Sequence, residues 1–293
     1  MIFLSIFFTE WGLDEVPYGF IKHIEAQGYS KETILSYKKV LNLFIIHLNS
    51  TYAGGKEPFE INPSDIKNYL FNQLKEGKKV STLNKELGIL KTWFNYLWEK
   101  DIVKIDPTVK IKRLKTDDAL KIDITYEDIQ QILPKVLSNP YYQPIRKAIF
   151  LLATKGLKTS DFRFTKDEII ISENNNEIEI ILSNRKLILK DQEVNHFLDY
   201  YHSSIFNNSD FVFITNKSKE GPVPIEVMSI LTHLRAISND YLPNFNIHLT
   251  LINMRRALIS HLYNKEKLSI QQIAAELGIE EQSAANYIHK LEN

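Results

Sequence analysis

Residues Ser81 to Pro107 read STLNKELGILKTWFNYLWEKDIVKIDP. From Thr82 to Lys100 the apolar residues Leu83, Leu87, Leu90, Phe94 and Leu97 recur three and four apart, which predicts one continuous stripe on an amphipathic helix. Beyond Lys100 that period is lost. Asp106-Pro107 is followed by Val109, Ile111 and Leu114 alternating with lysines, and a proline keeps the preceding residue out of helical backbone. Residues 105–121 are therefore expected to form an extended, basic linker between two domains.

Working outward, the upstream sequence is helical in pattern. Ser30, Glu32 and Thr33 precede Ile34, Tyr37, Val40, Leu41 and Phe44, and Pro63-Ser64-Asp65 opens a second run with Ile66, Tyr69, Leu70 and Leu74 on one face. Downstream, Thr125, Glu127 and Asp128 start a helix, and Arg146 to Thr154 is an apolar helix stopped by Gly156. Strand-like runs follow at 168–172, 177–183 and 186–190, separated by turns at Asn174-Asn175-Asn176 and Asn184-Arg185. Helices resume near Val194 and over Val227 to Ser238, Asn253 to Asn264 and Ser269 to Leu277. The expected fold is mainly α, with an extension at 1–15, a helical domain at 16–104, the linker, and a helical domain at 122–293 carrying a small antiparallel sheet.

Two domains suit 293 residues. The absence of cysteine removes disulfides, thiolate metal sites and a cysteine nucleophile, and the eight histidines fall in no metal-ligand spacing. No metal or other cofactor is expected. The opening run Met1 to Phe8, MIFLSIFF, is too short to span a bilayer and has no basic leader region, so it reads as a start-codon extension or a packing arm. A net charge of zero argues against indiscriminate coating of nucleic acid. Locally, however, Lys78 to Lys115 holds ten basic and four acidic residues, which suits either a phosphate-facing surface or merely a solvated helix and charged linker.

Phe20 to Leu48 (FIKHIEAQGYSKETILSYKKVLNLFIIHL), together with Ser81 to Pro107, resembles the core-binding domain of the tyrosine recombinase, or phage integrase, family. Gly156-Leu157-Lys158-Thr159-Ser160-Asp161-Phe162 is similar to that family's first box, with Lys158 where its first catalytic arginine stands. Asn184-Arg185-Lys186 falls at the hairpin that presents a catalytic lysine, with a shortened turn. Ile252-Asn253-Met254-Arg255-Arg256 matches the second box, keeping Arg255 and replacing a histidine by Ile252. Leu277-Gly278-Ile279 puts Ile279 at another histidine position, and Tyr287 takes the nucleophile's place, with six residues after it.

The resemblance implies a four- to five-helix SAM-like core-binding domain and an α+β catalytic-like domain that together clamp duplex DNA. Catalysis in the family needs a tyrosine to attack phosphorus, two arginines to clamp the charge that develops, a lysine to protonate the leaving oxygen, and histidines to handle protons. Lys158, Lys186, Arg255 and Tyr287 are thus vestigial catalytic candidates beside the lost positions Ile252 and Ile279. A lysine offers a point charge in place of a planar fork, and isoleucine carries no proton. Tyr287 reads first as a packing residue, and His261 as a core histidine with its polar tip satisfied.

DNA contacts implied by the resemblance fall on Lys31, Thr33 and Lys38; on Ser81, Thr82, Asn84, Lys85 and Lys91; on linker residues Lys110, Lys112, Arg113 and Lys115; and on Lys158, Arg185, Lys186, Arg255 and Arg256. Thr82, Asn84 and Lys85 are the candidates for base edges. A competing reading takes Ile270 to Leu291 as a helix-turn-helix turning at Gly278, but Glu280 and Glu281 would then face phosphates. The expected role is sequence-specific double-stranded DNA binding in the bacterial cytoplasm, at the nucleoid, with possible homo-oligomers on DNA and no membrane partner. A transcriptional repressor of a phage or mobile element comes first, by analogy. An active divergent recombinase and an architectural accessory protein are the alternatives.

Overall fold

The computed structural model describes residues 16–115, 124–173, 176–217, 221–243 and 248–292. The opening run at 1–8, the linker beyond 115 and the turn residues Asn174 and Asn175 lie outside the described residues. The chain divides into two units, Met1–Asp117 and Asp118–Asn293.

The first unit contains helices α1 (Phe20–Ala26), α2 (Lys31–Thr51), α3 (Pro63–Lys75) and α4 (Val80–Glu99). Helix α2 starts where Ser30 Oγ accepts the amide of Thr33 at 3.2 Å. Helix α3 starts on a reciprocal box, in which Asn62 Oδ1 accepts the Asp65 amide and Asp65 Oδ2 accepts the Asn62 amide at 2.9 Å. The Asp65 carboxylate is buried, and the Tyr52 hydroxyl at 2.5 Å and the Lys56 ammonium at 2.8 Å offset its desolvation. The stripe predicted on α4 is the buried one: Leu83, Leu87, Leu90, Phe94 and Leu97 are all buried. Phe44 of α2 meets the rings of Tyr69, Trp93 and Phe94 edge-on at 5.2, 6.5 and 6.5 Å, which knits three helices into one core.

The extended linker is corrected in part. Residues 107–110 form a turn, Ile111 is buried in the first core, and the Asn84 side chain both donates to Leu114 O at 2.9 Å and accepts from Leu114 N at 2.8 Å. Apolar Ile111 gains more from burial than from tracking a ligand, so the segment up to residue 115 folds back onto α4.

In the second unit α5 (Tyr126–Ser138) is capped by Thr125 and Asp128, and α6 (Pro144–Thr154) is buried on every side from Ala148 to Thr154. Strands β1 (Ile169–Ile171), β2 (Glu177–Leu182) and β3 (Arg185–Lys190) form an antiparallel sheet in that order. Ile178 pairs with Leu189 and Ile180 with Leu187, so the period of two turns these four into the large core, where β3 packs on α7 (Gln192–Ser204). A second ribbon, β4 (Ile214–Lys217) with β5 (Gly221–Pro224), has no counterpart among the strands expected from sequence; Pro222 and Pro224 read as breakers and are tolerated because a two-stranded ribbon consists of edges only. Helix α8 (Val227–Tyr241) completes the large core. Helices α9 (Leu251–Asn264), α10 (Ile270–Leu277) and α11 (Glu281–Glu292) share a smaller one around Ile259, Ile273, Leu277 and Ala284. No helix among the described residues is long and apolar enough to cross a membrane.

Candidate active site and nucleic-acid interface

Gly156 ends α6 with φ +75°, and Gly278 ends α10 with φ +59°. The two helix C-termini present carbonyls that no later turn of helix can satisfy. Two arginines satisfy them. Arg255 donates through Nη1 to Gly156 O at 2.7 Å and through Nη2 to Leu277 O at 3.1 Å, while Arg185 donates to Glu276 O and, at 2.8 Å, to Lys155 O. The positive guanidinium planes also suit the negative ends of both helices. Burial lowers the pKa of each below its usual value, and each arginine has a nearby charge: Arg255 further lowers that of Arg185, whereas Asp161 and Tyr287 partly restore that of Arg255.

Beside this junction lies a pocket of about 240 Å3, whose lining includes Lys158, Ile252, Arg255, Ile279, Ser283 and Tyr287. The fold thus brings together every second-unit position singled out for chemistry except Lys186. Alternation along β3 decides that exception: Arg185 turns inward to the helix ends, and Lys186 turns outward, pairing with Glu179 at 2.5 Å. Arg255, expected to face a phosphate, is a buried tie between helices in this structure, with an edge on the pocket. Arg185 makes a similar tie, with both of its terminal nitrogens engaged by main-chain carbonyls. Arg256 is half-buried beside it.

Asp161 is a site residue that the sequence pattern did not single out, although it lies within the first box. Its Oδ2 accepts the Lys158 amide at 3.0 Å and lies 4.0 Å from Arg255 Nη1, and its Oδ1 lies 3.9 Å from Lys158 Nζ. A carboxylate between the two cations offsets part of the field they would offer a phosphate. Ile252 is 63% exposed at the mouth, and Tyr287 is half-buried against the small core. His261 sits between Glu127 and Glu266 at 3.1 and 3.2 Å, with its ring 4.8 Å from that of Tyr126.

In the first unit a groove of about 560 Å3 runs between α2 and α4, bringing Thr33, Asn84, Lys85 and Arg113 together. Gly88 lies on it with open space where a side chain would start, so the backbone of α4 is accessible there. Asn84, a base-reading candidate, engages its amide with the Leu114 backbone in this structure. Lys31, Ser81, Thr82, Lys110, Lys112 and Lys115 are exposed, and Lys38 and Lys91 half-buried, outside that groove. Tyr37, Thr92 and Ser36, which the sequence pattern did not point to as contacts, line it.

Residues 18–104 match the family described as phage integrase, N-terminal SAM-like domain. The tyrosine recombinase XerC of Thermodesulfovibrio yellowstonii is 27% identical over 144 residues, which cover 48% of this chain and 46% of that protein. The chain thus spans about half the length of the relatives it matches. Among solved structures, a Tn1549 transposon integrase in complex with a circular intermediate DNA superposes with a TM-score of 0.65 at 18% identity, covering 92% of this chain and 93% of that one. A lambda integrase dimer bound to a COC' core site gives 0.66 at 12% identity, with 92% of each chain covered. The chain has the fold of these integrases, a SAM-like helical domain ahead of a helical domain with a small antiparallel sheet, and its sequence similarity to the tyrosine recombinase and phage integrase family lies in residues 18–104 and in the partial match to XerC.

Proposed function

We propose that this chain is a sequence-specific duplex DNA-binding protein that holds DNA without efficient strand cleavage, in the manner of a regulator of a phage or mobile element. The observation that carries this reading is the state of the pocket around Tyr287: its arginine is tied to two carbonyls, its other cation is a lysine, and isoleucine fills two positions where protons would have to move. Loss of a single transition-state donor costs on the order of 10²- to 10³-fold in rate. The groove between α2 and α4, with Lys85 and Arg113 on it, retains what phosphate binding requires.

Purified full-length protein retained on a duplex library at low ionic strength, followed by mapping of bound sites in the source genome, tests this. Enrichment at promoters with derepression on gene deletion supports the regulator; scattered sites with no promoter response indicate an architectural role. Lys85→Ala with Arg113→Ala is expected to lower affinity across all sequences and to reduce the slope of log affinity against log salt by about 0.9 for each phosphate no longer neutralised. An unchanged slope would remove the groove from the interface.

A second reading is active recombination, favoured by one fact: Tyr287 lines the same pocket as Lys158 and Arg255. It requires a covalent adduct on a suicide duplex that Tyr287→Phe abolishes. On the non-cleaving reading, Tyr287→Phe leaves duplex retention within about twofold, since a single exposed-edge substitution changes energies by under about 0.5 kcal/mol.

A further inference from the structure

The first unit carries a second groove, about 830 Å3 in volume, that the proposed DNA contacts leave unused. One wall is the turn Pro58–Pro63, and the other is the segment 101–110 that follows α4. Phe59, Ile105 and Val109 line it at 64%, 81% and 69% exposure, while Ile61 and Val103 beneath them are buried in the core. Leaving such side chains in water is unfavourable relative to burying them. An apolar surface of this kind marks a docking site.

The chain itself supplies a matching segment. Seven of the eight residues in Met1–Phe8 (MIFLSIFF) are apolar, three of them phenylalanine. Where that segment joins the described chain is also fixed. Val16 is buried in the first core, and the Tyr18 hydroxyl donates to the Glu57 carboxylate at 3.0 Å, so the root of the segment is held at the residue preceding Pro58 on the groove's wall. The intervening residues Thr9–Glu15 reach up to roughly 25 Å when extended, ample for a groove that starts beside their root.

We propose that Met1–Phe8 of the same chain docks in the groove formed by Pro58–Pro63 and residues 101–110. Docking within one chain is favoured over capture of a separate molecule, because a short tether holds its end at millimolar effective concentration. It covers Phe59, Ile105 and Val109, and it also shields an apolar run that would promote aggregation if left in water. The proposal stands independently of DNA binding, since it uses none of the residues in the α2–α4 groove.

The chain has no cysteine, so introduced pairs report only on themselves. In full-length protein carrying Phe7→Cys with Val109→Cys, oxidation is expected to form an intrachain disulfide at least about tenfold faster than in the control pair Phe7→Cys with Leu35→Cys, where proximity confers no such effective concentration. Leu35 is 64% exposed and lies outside the groove, and Val109 is 69% exposed, so neither substitution disturbs the core. Equal rates for the two pairs would overturn the proposal. A disulfide that joins two chains in preference to one would also overturn it, by making a second copy the occupant. Independently, Ile6→Asp with Phe8→Asp should speed amide hydrogen exchange over 101–110 by about tenfold or more as local opening becomes easier. Unchanged exchange there would count against the arm.

Discussion

Gly156→Ala is expected to destabilise the second unit by about 2–5 kcal/mol, because two costs add. At φ +75° an alanine incurs the left-handed penalty of roughly 1–2 kcal/mol that glycine escapes. Its Cβ would also lie 2.9 Å from Leu258 Cδ2 and 2.9 Å from Leu277 Cδ2, side chains fixed in the small core, and overpacking of this kind costs roughly 1–3 kcal/mol. Gly28→Ala is the matched control, because Gly28 has φ +78° and nothing within 4 Å of a new Cβ. It should lose only the backbone share. All three tryptophans, Trp11, Trp93 and Trp98, belong to the first unit, so urea unfolding followed by far-UV dichroism beside tryptophan fluorescence separates the units. A fall in the second unit's midpoint for Gly156→Ala no larger than the fall in the first unit's midpoint for Gly28→Ala, each measured against the unsubstituted protein, would refute the close approach of α6, α9 and α10.

The second large effect concerns Arg255. Arg255→Met keeps much of the side-chain volume but strands two buried carbonyls, Gly156 O and Leu277 O. An unsatisfied buried acceptor costs about 1–3 kcal/mol, so the loss should be roughly 2–6 kcal/mol against a total stability near 5–15 kcal/mol. Arg255→Lys should recover only part of it, since one ammonium lacks the planar fork that reaches two carbonyls at once. The measurements are the urea midpoint of the second unit and duplex retention on the same samples. If stability holds while affinity drops, Arg255 acts on DNA and its tie between helix ends is incidental. If stability falls first, the arginine of the second box holds the fold together before it serves any ligand.

These two effects share a cause. A helix that must stop against another helix needs a glycine for space and a long cation for the exposed carbonyls, and here one junction uses Gly156, Gly278, Arg185 and Arg255 together. Gly278 shows the same crowding, with a new Cβ 3.1 Å from Arg185 Cγ and 3.2 Å from Asn184 O. The pocket that holds Lys158 and Tyr287 is therefore shaped by the parts that close the fold.

The sequence by itself determined the elements whose signal is local. The stripe from Leu83 to Leu97 set α4, the alternation around Ile178, Ile180, Leu187 and Leu189 set the hairpin, and the boxes at Gly156 and Arg255 identified which residues would meet. The helix and the hairpin rest on a period of 3.6 or 2 and the boxes on their resemblance to a known family, and all of these survive in a linear reading. Only the tertiary structure decided what the charged and polar side chains do. Arg255 finds its acceptors 99 and 22 residues away, Arg185 reaches a carbonyl 91 residues on, and Asn84 closes on Leu114 thirty residues later. The ribbon of β4 and β5 belongs to the same class, since its prolines argue against strands until the partner strand is seen. Long polar side chains are indifferent to local pattern, and their partners are fixed by whichever unsatisfied carbonyl or amide the packed core leaves within reach.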